Sequence, residues 1–356
     1  MTIGFLSSSS GWGGLERNLL RYAAWMREAG HAAVGFFVAD TPLAAHAEGA
    51  VDEVVSFARQ TRYLPVLAAA RMGRELRRRK VEVLWVRDPR DLAFAGMAAQ
   101  RAGIPLIFQQ GMQIARPKRQ PWHRARYGRV TRWVAPSHTM AAQALAHTPL
   151  RPDQISVIPL ALDPAWFAPR DREARARWDW PATARVVGLF GRLDPLKGQA
   201  ELLHALAQLP EWHGWFIGEP TPNAPGDYRA ALDQLAQDLG IADRVRFDPP
   251  TSELRSAYDA VDAYAMCSAS ETFGMVTLEA LSRGAYVIGT NTGGTPELLK
   301  GQPGTVVYTP GDVSALVAAL QAVPVPAKPA QRDLGAHTRA AAVAAWCALL
   351  EDLKAR

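Results

Sequence analysis

Two carboxylates, Glu271 and Glu279, bracket seven residues in the stretch SASETFGMVTLE (268–279), with no cation between them. A solvated helix normally intersperses lysine or arginine on such a face. A carboxylate accepts hydrogen bonds and donates none, so its natural partners are donors such as the paired hydroxyls of a sugar or ribose. At this spacing the two groups need not touch and can grip different parts of one ligand. The stretch runs from an apolar strand (DAYAMCS) into a helical one (VTLEALSRG), which puts the N–H groups of Gly274, Met275 and Val276 among the unpaired donors of a helix start, a site suited to an anion. Read without that context, Glu279 is a surface glutamate on an amphipathic helix ending at Gly284.

Three further loops carry chemistry-bearing residues. GRLDPLKGQ (191–199) places Arg192 and Lys197 together after a strand. Arginine supplies a planar fork and lysine a point charge, and the combination can neutralise a diphosphate leaving group without a metal. SSSSGWGGLE, after the first strand, has Gly11 and Gly13 in a G-x-G spacing and Asp40 at the end of the next strand. Glu16 breaks the dinucleotide fingerprint, whose third glycine permits close helix–strand packing. What survives is that Gly13 and Gly14 let backbone N–H groups approach an anion at a helix start, unless they serve the turn alone. In TNTGGTPELL, Thr295 as N-cap, Pro296 at the first helical position and Glu297 in the first turn are sufficient as capping, while Gly293 and Gly294 also allow close ligand approach.

These loops need elements to hold them. TIGFLS, AAVGFFVAD, VEVLWVRD, IPLIFQQG and TRWVAPS read as buried strands separated by helical patterns such as LERNLLRYAAWMREAG, which ends at Gly30. VIPLALDPAWFAP (157–169) reads as a linker. The strand–helix alternation then restarts with RVVGLFG and runs to AYVIGT, so two doubly wound α/β domains are predicted, each with a parallel sheet covered on both faces. VPVPAKPAQRD (323–333) is a proline-rich spacer before a last helix over 337–353. In such sheets ligands bind beyond the carboxyl ends of the strands, where all the loops above lie.

At 356 residues, 48% apolar and 21% charged, the chain is long enough for two stable domains. Its two cysteines, Cys267 and Cys347, offer no metal-ligand spacing and suit a reducing compartment. The N-terminus lacks a basic leader and no run of about eighteen apolar residues occurs, so a cytoplasmic, non-spanning protein is expected. The net charge of +6 is unevenly divided: residues 1–162 hold 22 lysines and arginines against 11 acids, and 163–356 hold 18 against 23. A basic first half facing something anionic is implied. No Asp-x-Asp occurs, and no catalytic metal is expected.

The ordered set GGLE, GRLDPLKGQ, E-TFGMVTL-E with EALSRG, and GGTPEL resembles the retaining glycosyltransferases of family 4 over essentially the whole chain. The resemblance implies the GT-B fold: an N-terminal Rossmann-like acceptor domain (1–162), a C-terminal Rossmann-like nucleotide-sugar donor domain (163–335), parallel sheets facing across a cleft, and a C-terminal helix (336–356) returning to the first domain. Carried over residue by residue, it makes Arg192 and Lys197 ligands of the donor diphosphate. Gly274, Met275 and Val276 supply backbone donors, Glu279 holds the ribose and Glu271 the transferred sugar. Gly13 and Gly14 close over the phosphates. Glu271, Arg192 and Lys197 form the catalytic set for a UDP-, GDP- or ADP-sugar. Where many members place a histidine, this chain has FQQG, so Gln110 stands there and cannot titrate; Asp88, in VRDPRD, is a second acceptor-side candidate. The implied activity is transfer to a glycan or lipid-linked acceptor in cell-envelope polysaccharide or lipopolysaccharide synthesis, at the inner membrane face.

Two basic segments suit that location. In RMGRELRRRK (71–80), Arg71, Arg74 and Arg78 share a helical face. RPKRQPWHRARYGRVTRW (116–133) has seven basic residues and no acid, with Trp122, Tyr127 and Trp133 interleaved. Arg119, Arg124, Arg126 and Trp122 are the expected contacts to anionic lipid, with Trp133 as a further anchor. The competing reading is a non-catalytic nucleic-acid-binding protein using these aromatics to stack on bases; the donor-site loops argue against it, and no nucleic-acid partner is expected. A nucleotide-sugar epimerase of the same fold is the alternative enzyme.

Overall fold

The computed structural model describes residues 1–59, 65–221, 227–325, 327 and 329–355. Contacts divide the chain into two units: residues 1–159 with 339–356, and residues 160–338. Two residues of the proline-rich spacer, Pro326 and Lys328, lie outside the described residues.

The first unit holds strands β1 (Thr2–Ser7), β2 (Ala32–Val38), β3 (Glu53–Phe57), β4 (Val83–Val86), β5 (Leu106–Gln109), β6 (Arg132–Ala135) and β7 (Ile155–Val157), and helices α1 (Gly14–Glu28), α2 (Pro42–Ala45), α3 (Val66–Arg78), α4 (Leu92–Ala102), α5 (Pro121–Tyr127) and α6 (His138–His147). Its sheet runs β3-β2-β1-β4-β5-β6-β7, every pairing parallel. The strands are apolar on both faces because helices cover both, and Ile3, Phe5, Val83, Trp85 and Ile107 are wholly buried.

The second unit holds α7 (Ala174–Arg177), β8 (Arg185–Phe190), α8 (Gln199–Leu206), β9 (Trp212–Ile217), α9 (Tyr228–Asp238), β10 (Val245–Asp248), α10 (Leu254–Ala260), β11 (Ala263–Met266), α11 (Met275–Ser282), β12 (Tyr286–Thr290), α12 (Thr295–Leu299), β13 (Thr305–Tyr308) and α13 (Val313–Gln321). Its sheet is again parallel, in the order β10-β9-β8-β11-β12-β13. The strand order reverses between β1 and β4 in the first sheet and between β8 and β11 in the second. These are the points where such sheets open a crevice for ligands. The last helix, α14 (Arg339–Ala355), belongs to the first unit, where Trp346 stacks on Trp85 at 3.7 Å.

Several sequence expectations are corrected. Strands β3, β7 and β13 were not expected; they are short and lie at sheet edges, where burial is incomplete and the apolar signal is weak. The linker read over 157–169 begins inside β7 and contains a 3-10 turn at Pro164–Phe167. Helix α12 starts one residue earlier than its sequence implies: Gly294 is the N-cap, Thr295 is already helical, and the Thr295 hydroxyl caps nothing.

Candidate functional site

At the carboxyl end of β8 and β11 the second unit brings two loops into contact. Gly198 makes this possible. Its φ is +76°, and a Cβ there would stand 2.4 Å from the Cys267 carbonyl oxygen, so only glycine lets the GRLDPLKGQ loop lie against the end of β11. The Ala269 N–H donates to the Leu196 carbonyl at 2.9 Å, a second stitch. Asp194 stiffens the loop from within, accepting from the Leu196 N–H at 3.0 Å and the Thr221 hydroxyl at 2.9 Å. The backbone N–H of Leu196 holds the Asp194 carboxyl below the usual carboxylate range.

Packed this way, Lys197 and Glu271 form an ion pair at 2.8 Å, both side chains largely shielded from solvent. Glu271 also accepts from the Thr272 N–H at 3.1 Å. Arg192 is exposed on the same loop and forms no ion pair among the described residues; its carbonyl takes the Gln199 side-chain amide at 2.9 Å. Gly274, φ +89°, is the N-cap of α11. The N–H groups of Gly274, Met275 and Val276 have no acceptor among the described residues, so the eight-residue helix presents its positive end beside the Lys197–Glu271 pair. The 292–294 loop packs against that end: the Gly294 N–H donates to the Thr272 carbonyl at 3.1 Å.

Glu279 lies within α11, half-buried. The Tyr258 hydroxyl of α10 stands 3.1 Å from a Glu279 carboxylate oxygen and 3.0 Å from the Val276 carbonyl. Tyr258 is fully buried, and desolvation holds its phenol well above the usual range, so it stays a hydrogen-bond donor. Sequence reasoning missed Tyr258, since its helix shows only an apolar repeat. Taken together, the second unit offers hydroxyl-accepting carboxylates, two cations and a row of backbone donors beyond the carboxyl ends of its inner strands. That combination fits a phosphorylated ligand bearing a polyhydroxylated ring.

In the first unit the Gly13 N–H donates to the Glu16 side chain at 2.9 Å. Glu16 therefore caps α1, and Gly13's own donor is occupied; Gly14 is exposed at the helix start. Asp88 is buried and held by Arg90, whose Nε lies 2.8 Å from it. Gln110 is buried, accepting from the Trp133 indole at 2.9 Å and donating to the Met112 carbonyl at 3.2 Å, so both ends of its amide are committed to the protein. Of the basic stretch 116–133, Arg119, Trp122 and Arg124 are exposed, whereas Arg126 is partly covered and bonds the Pro89 carbonyl. Tyr127 and Trp133 are core residues, stacked on each other at 5.6 Å, and cannot anchor anything outside the fold. Arg71, Arg74 and Arg78 are exposed on α3, as is Leu67, 77% exposed. Among the described residues no helix is long and apolar enough to cross a membrane.

Residues 12–166 match the model of Glycosyltransferase Family 4, and residues 170–324 match Glycosyl transferases group 1. Among curated proteins, the chain is 36% identical over 225 residues to D-inositol 3-phosphate glycosyltransferase of Mycolicibacterium vanbaalenii, covering 58% of this chain and 50% of that one. It is 39% identical over 148 residues to the protein of that name from Mycobacteroides abscessus, covering 41% and 33%. The chain thus spans half or less of the length of these curated relatives. Among solved structures, Anabaena HepE in complex with UDP superposes with a TM-score of 0.81 at 24% identity, covering 98% of this chain and 95% of that one. A glycosyltransferase from Rickettsia africae gives 0.87 at 16%, covering 99% and 98%. These likenesses establish the fold as GT-B.

Proposed function

We propose that this GT-B glycosyltransferase, whose halves match Glycosyltransferase Family 4 and Glycosyl transferases group 1, moves a sugar from a nucleotide-sugar donor to an acceptor with retention of configuration. The observation that carries the reading is the convergence of Arg192, Lys197, Glu271 and the free N–H groups of α11 at the β8/β11 reversal point. The UDP bound by the Anabaena neighbour supports a nucleotide diphosphate donor of the UDP type.

In this reading Arg192, Lys197 and the α11 N–H groups receive the diphosphate, Glu271 orients the hydroxyls of the transferred sugar, and Glu279, aimed by Tyr258, holds the ribose. We assign no covalent nucleophile among the described residues. The leaving phosphate takes the acceptor proton on the face it departs from, so the protein's work is positioning and stabilising charge developing on the leaving oxygen. The cations and backbone donors serve that purpose without a metal.

The acceptor belongs to the first unit. A glycan or lipid-linked glycan at an anionic membrane surface is supported by the exposed cations of α3 and α5 with Leu67 and Trp122. The names of the curated relatives favour a second reading, a soluble phosphorylated polyol. Incubation with UDP-, GDP- and ADP-sugars, following slow donor hydrolysis in chelator, tests the donor assignment. Absence of binding and turnover with all three overturns it, and strict dependence on added divalent metal overturns the metal-free part.

A further inference from the structure

Arg87 follows β4 at the sheet's reversal point and is 3% exposed. Its Nε and Nη1 are buried with no acceptor among the described residues, and it forms no ion pair there. A buried charge is ordinarily matched by a partner, because burial strips it of the water that would otherwise stabilise it. Tyr22, Arg21 and Glu16 are the titratable groups that act on it, Tyr22 and Glu16 favouring its charge and Arg21 opposing it. Desolvation lowers the guanidinium's affinity for its proton to a pKa of about 10, which still leaves it charged near neutral pH.

The surroundings extend this surplus of donors. Pairing of Val86 with Phe108 sets Arg87 level with Gln109 on the neighbouring strand. Gln109 accepts from the Trp85 indole at 3.1 Å, while its own Nε2 is buried without an acceptor. The third guanidinium nitrogen, Nη2, points toward Gly111: a Cβ at that position would stand 3.4 Å from it and 2.1 Å from the Leu15 side chain in the first turn of α1. The Leu15 side chain of α1 thus lies against Gly111, beside Arg87. The N–H groups of Gly14, Leu15 and Glu16 also lack acceptors among the described residues, and α1 is fifteen residues long. Unpaired donors thus gather around Arg87, while the Glu16 carboxylate that acts on it is already bonded to the Gly13 N–H, and an oxyanion is the group that would match them.

We propose that Arg87 is the anchor of an oxyanion site in the first unit, taking a phosphate or carboxylate group of the molecule that this unit binds. In identifying that molecule as the sugar acceptor, the inference rests on the function proposed above; the oxyanion site itself does not. It makes the acceptor an anionic one, and it assigns the anion to a buried residue rather than to the solvated arginines of α3 and α5.

Titration of the full chain with inorganic phosphate and with glucose 6-phosphate at constant ionic strength, alongside UDP as a separate ligand, tests it. The wild type should bind both probes saturably, Arg87→Met should weaken them at least tenfold, and Arg87→Lys should fall between. UDP affinity should be the same in all three proteins. Phosphate should raise the melting temperature of the wild type relative to chloride and leave that of Arg87→Met unmoved. No saturable binding of either probe to the wild type, or equal binding to Arg87→Met, overturns the proposal. So does a lowered melting temperature in Arg87→Met with probe binding intact, which would mark a structural residue. Loss of UDP binding by the wild type would instead sink the donor reading and leave this site standing.

Discussion

Lys197 Nζ lies 2.8 Å from a carboxylate oxygen of Glu271, joining two loops that are 74 residues apart in the chain. Each neutralises the other, so a diphosphate must compete with Glu271 for the lysine. Glu271→Gln should therefore bind UDP as tightly as the wild type or more tightly, while donor turnover falls by roughly a hundredfold. Lys197→Met should weaken UDP at least tenfold and leave uridine unaffected. Calorimetric titration with both ligands checks this; equal loss of UDP and uridine in Lys197→Met contradicts it.

Tyr258 is placed to aim Glu279 rather than to touch the ligand. Replacing it with phenylalanine removes one buried donor, which should lower stability by about 1 kcal/mol. Because Glu279 is assigned to the ribose, uridine and UDP should weaken together, by about threefold to tenfold, with kcat much less affected. A change in kcat alone would remove the positioning role.

The left-handed backbone of Gly198 predicts a site-specific intolerance. Gly198→Ala introduces a Cβ against the Cys267 carbonyl and a strained φ, and should reduce stability by about 2 kcal/mol or more. Gly240 has a similar φ of +67° but open space around its Cβ position, so Gly240→Ala should cost about 1 kcal/mol or less. Urea denaturation of the two variants compares them. Only Gly198→Ala should also lose UDP binding.

Asp91, buried at the start of α4, accepts from the Ser8 N–H at 3.0 Å and from the Ser8 hydroxyl. Burial nonetheless pushes its carboxyl up to about 6, from an ordinary value of 3.8. A carboxyl whose folded pKa is raised contributes stability below its unfolded pKa and loses it as pH rises through the folded one. Between about pH 4 and pH 6 the wild type should therefore lose up to about 3 kcal/mol relative to Asp91→Asn, the equivalent of a two-unit shift. Parallel curves for the two proteins across that window would exclude this.

For the membrane reading, co-sedimentation with liposomes should require anionic lipid, weaken with salt, and fall when Arg71, Arg74, Arg119 and Arg124 are replaced by glutamine. Each basic residue near such a surface contributes roughly 1 kcal/mol. Arg126 is left out of the set because it is bonded to the Pro89 carbonyl. Equal recovery on neutral and anionic vesicles, or none on either, would favour the soluble acceptor.

The parallel sheets were legible because strands buried on both faces, such as VLWV and RVVGLF, are continuous apolar runs bounded by turn residues. The loops at their ends were legible because loop chemistry is local: Arg192, Lys197 and Glu271 can be named from short motifs. What those residues do to one another was not legible. Nothing in the sequence pairs Lys197 with Glu271 or Tyr258 with Glu279, since both contacts depend on which strands are neighbours. The basic stretch misled for a related reason. Trp133 and Tyr127 alternate with arginines as surface aromatics would, but Trp133 lies in a strand covered on both faces, and even its neighbour Arg132 is buried and paired with Asp352.

The position of α14 has a consequence for the order in which the protein is made. Trp346 packs on Trp85 and Tyr22 in the core of the first unit, yet 179 residues of the second unit, Leu160–Thr338, are synthesised between them. On the ribosome the first unit must wait, with the face that will receive Trp346 uncovered, while the second emerges and can fold as one uninterrupted piece. The second unit's two ends are already joined, through the Leu162–Thr338 bridge and the His337 bond to the Leu160 carbonyl. A chain truncated after residue 338 and released would keep the joined ends of the second unit and leave the face around Trp85 and Tyr22 without the helix that covers it.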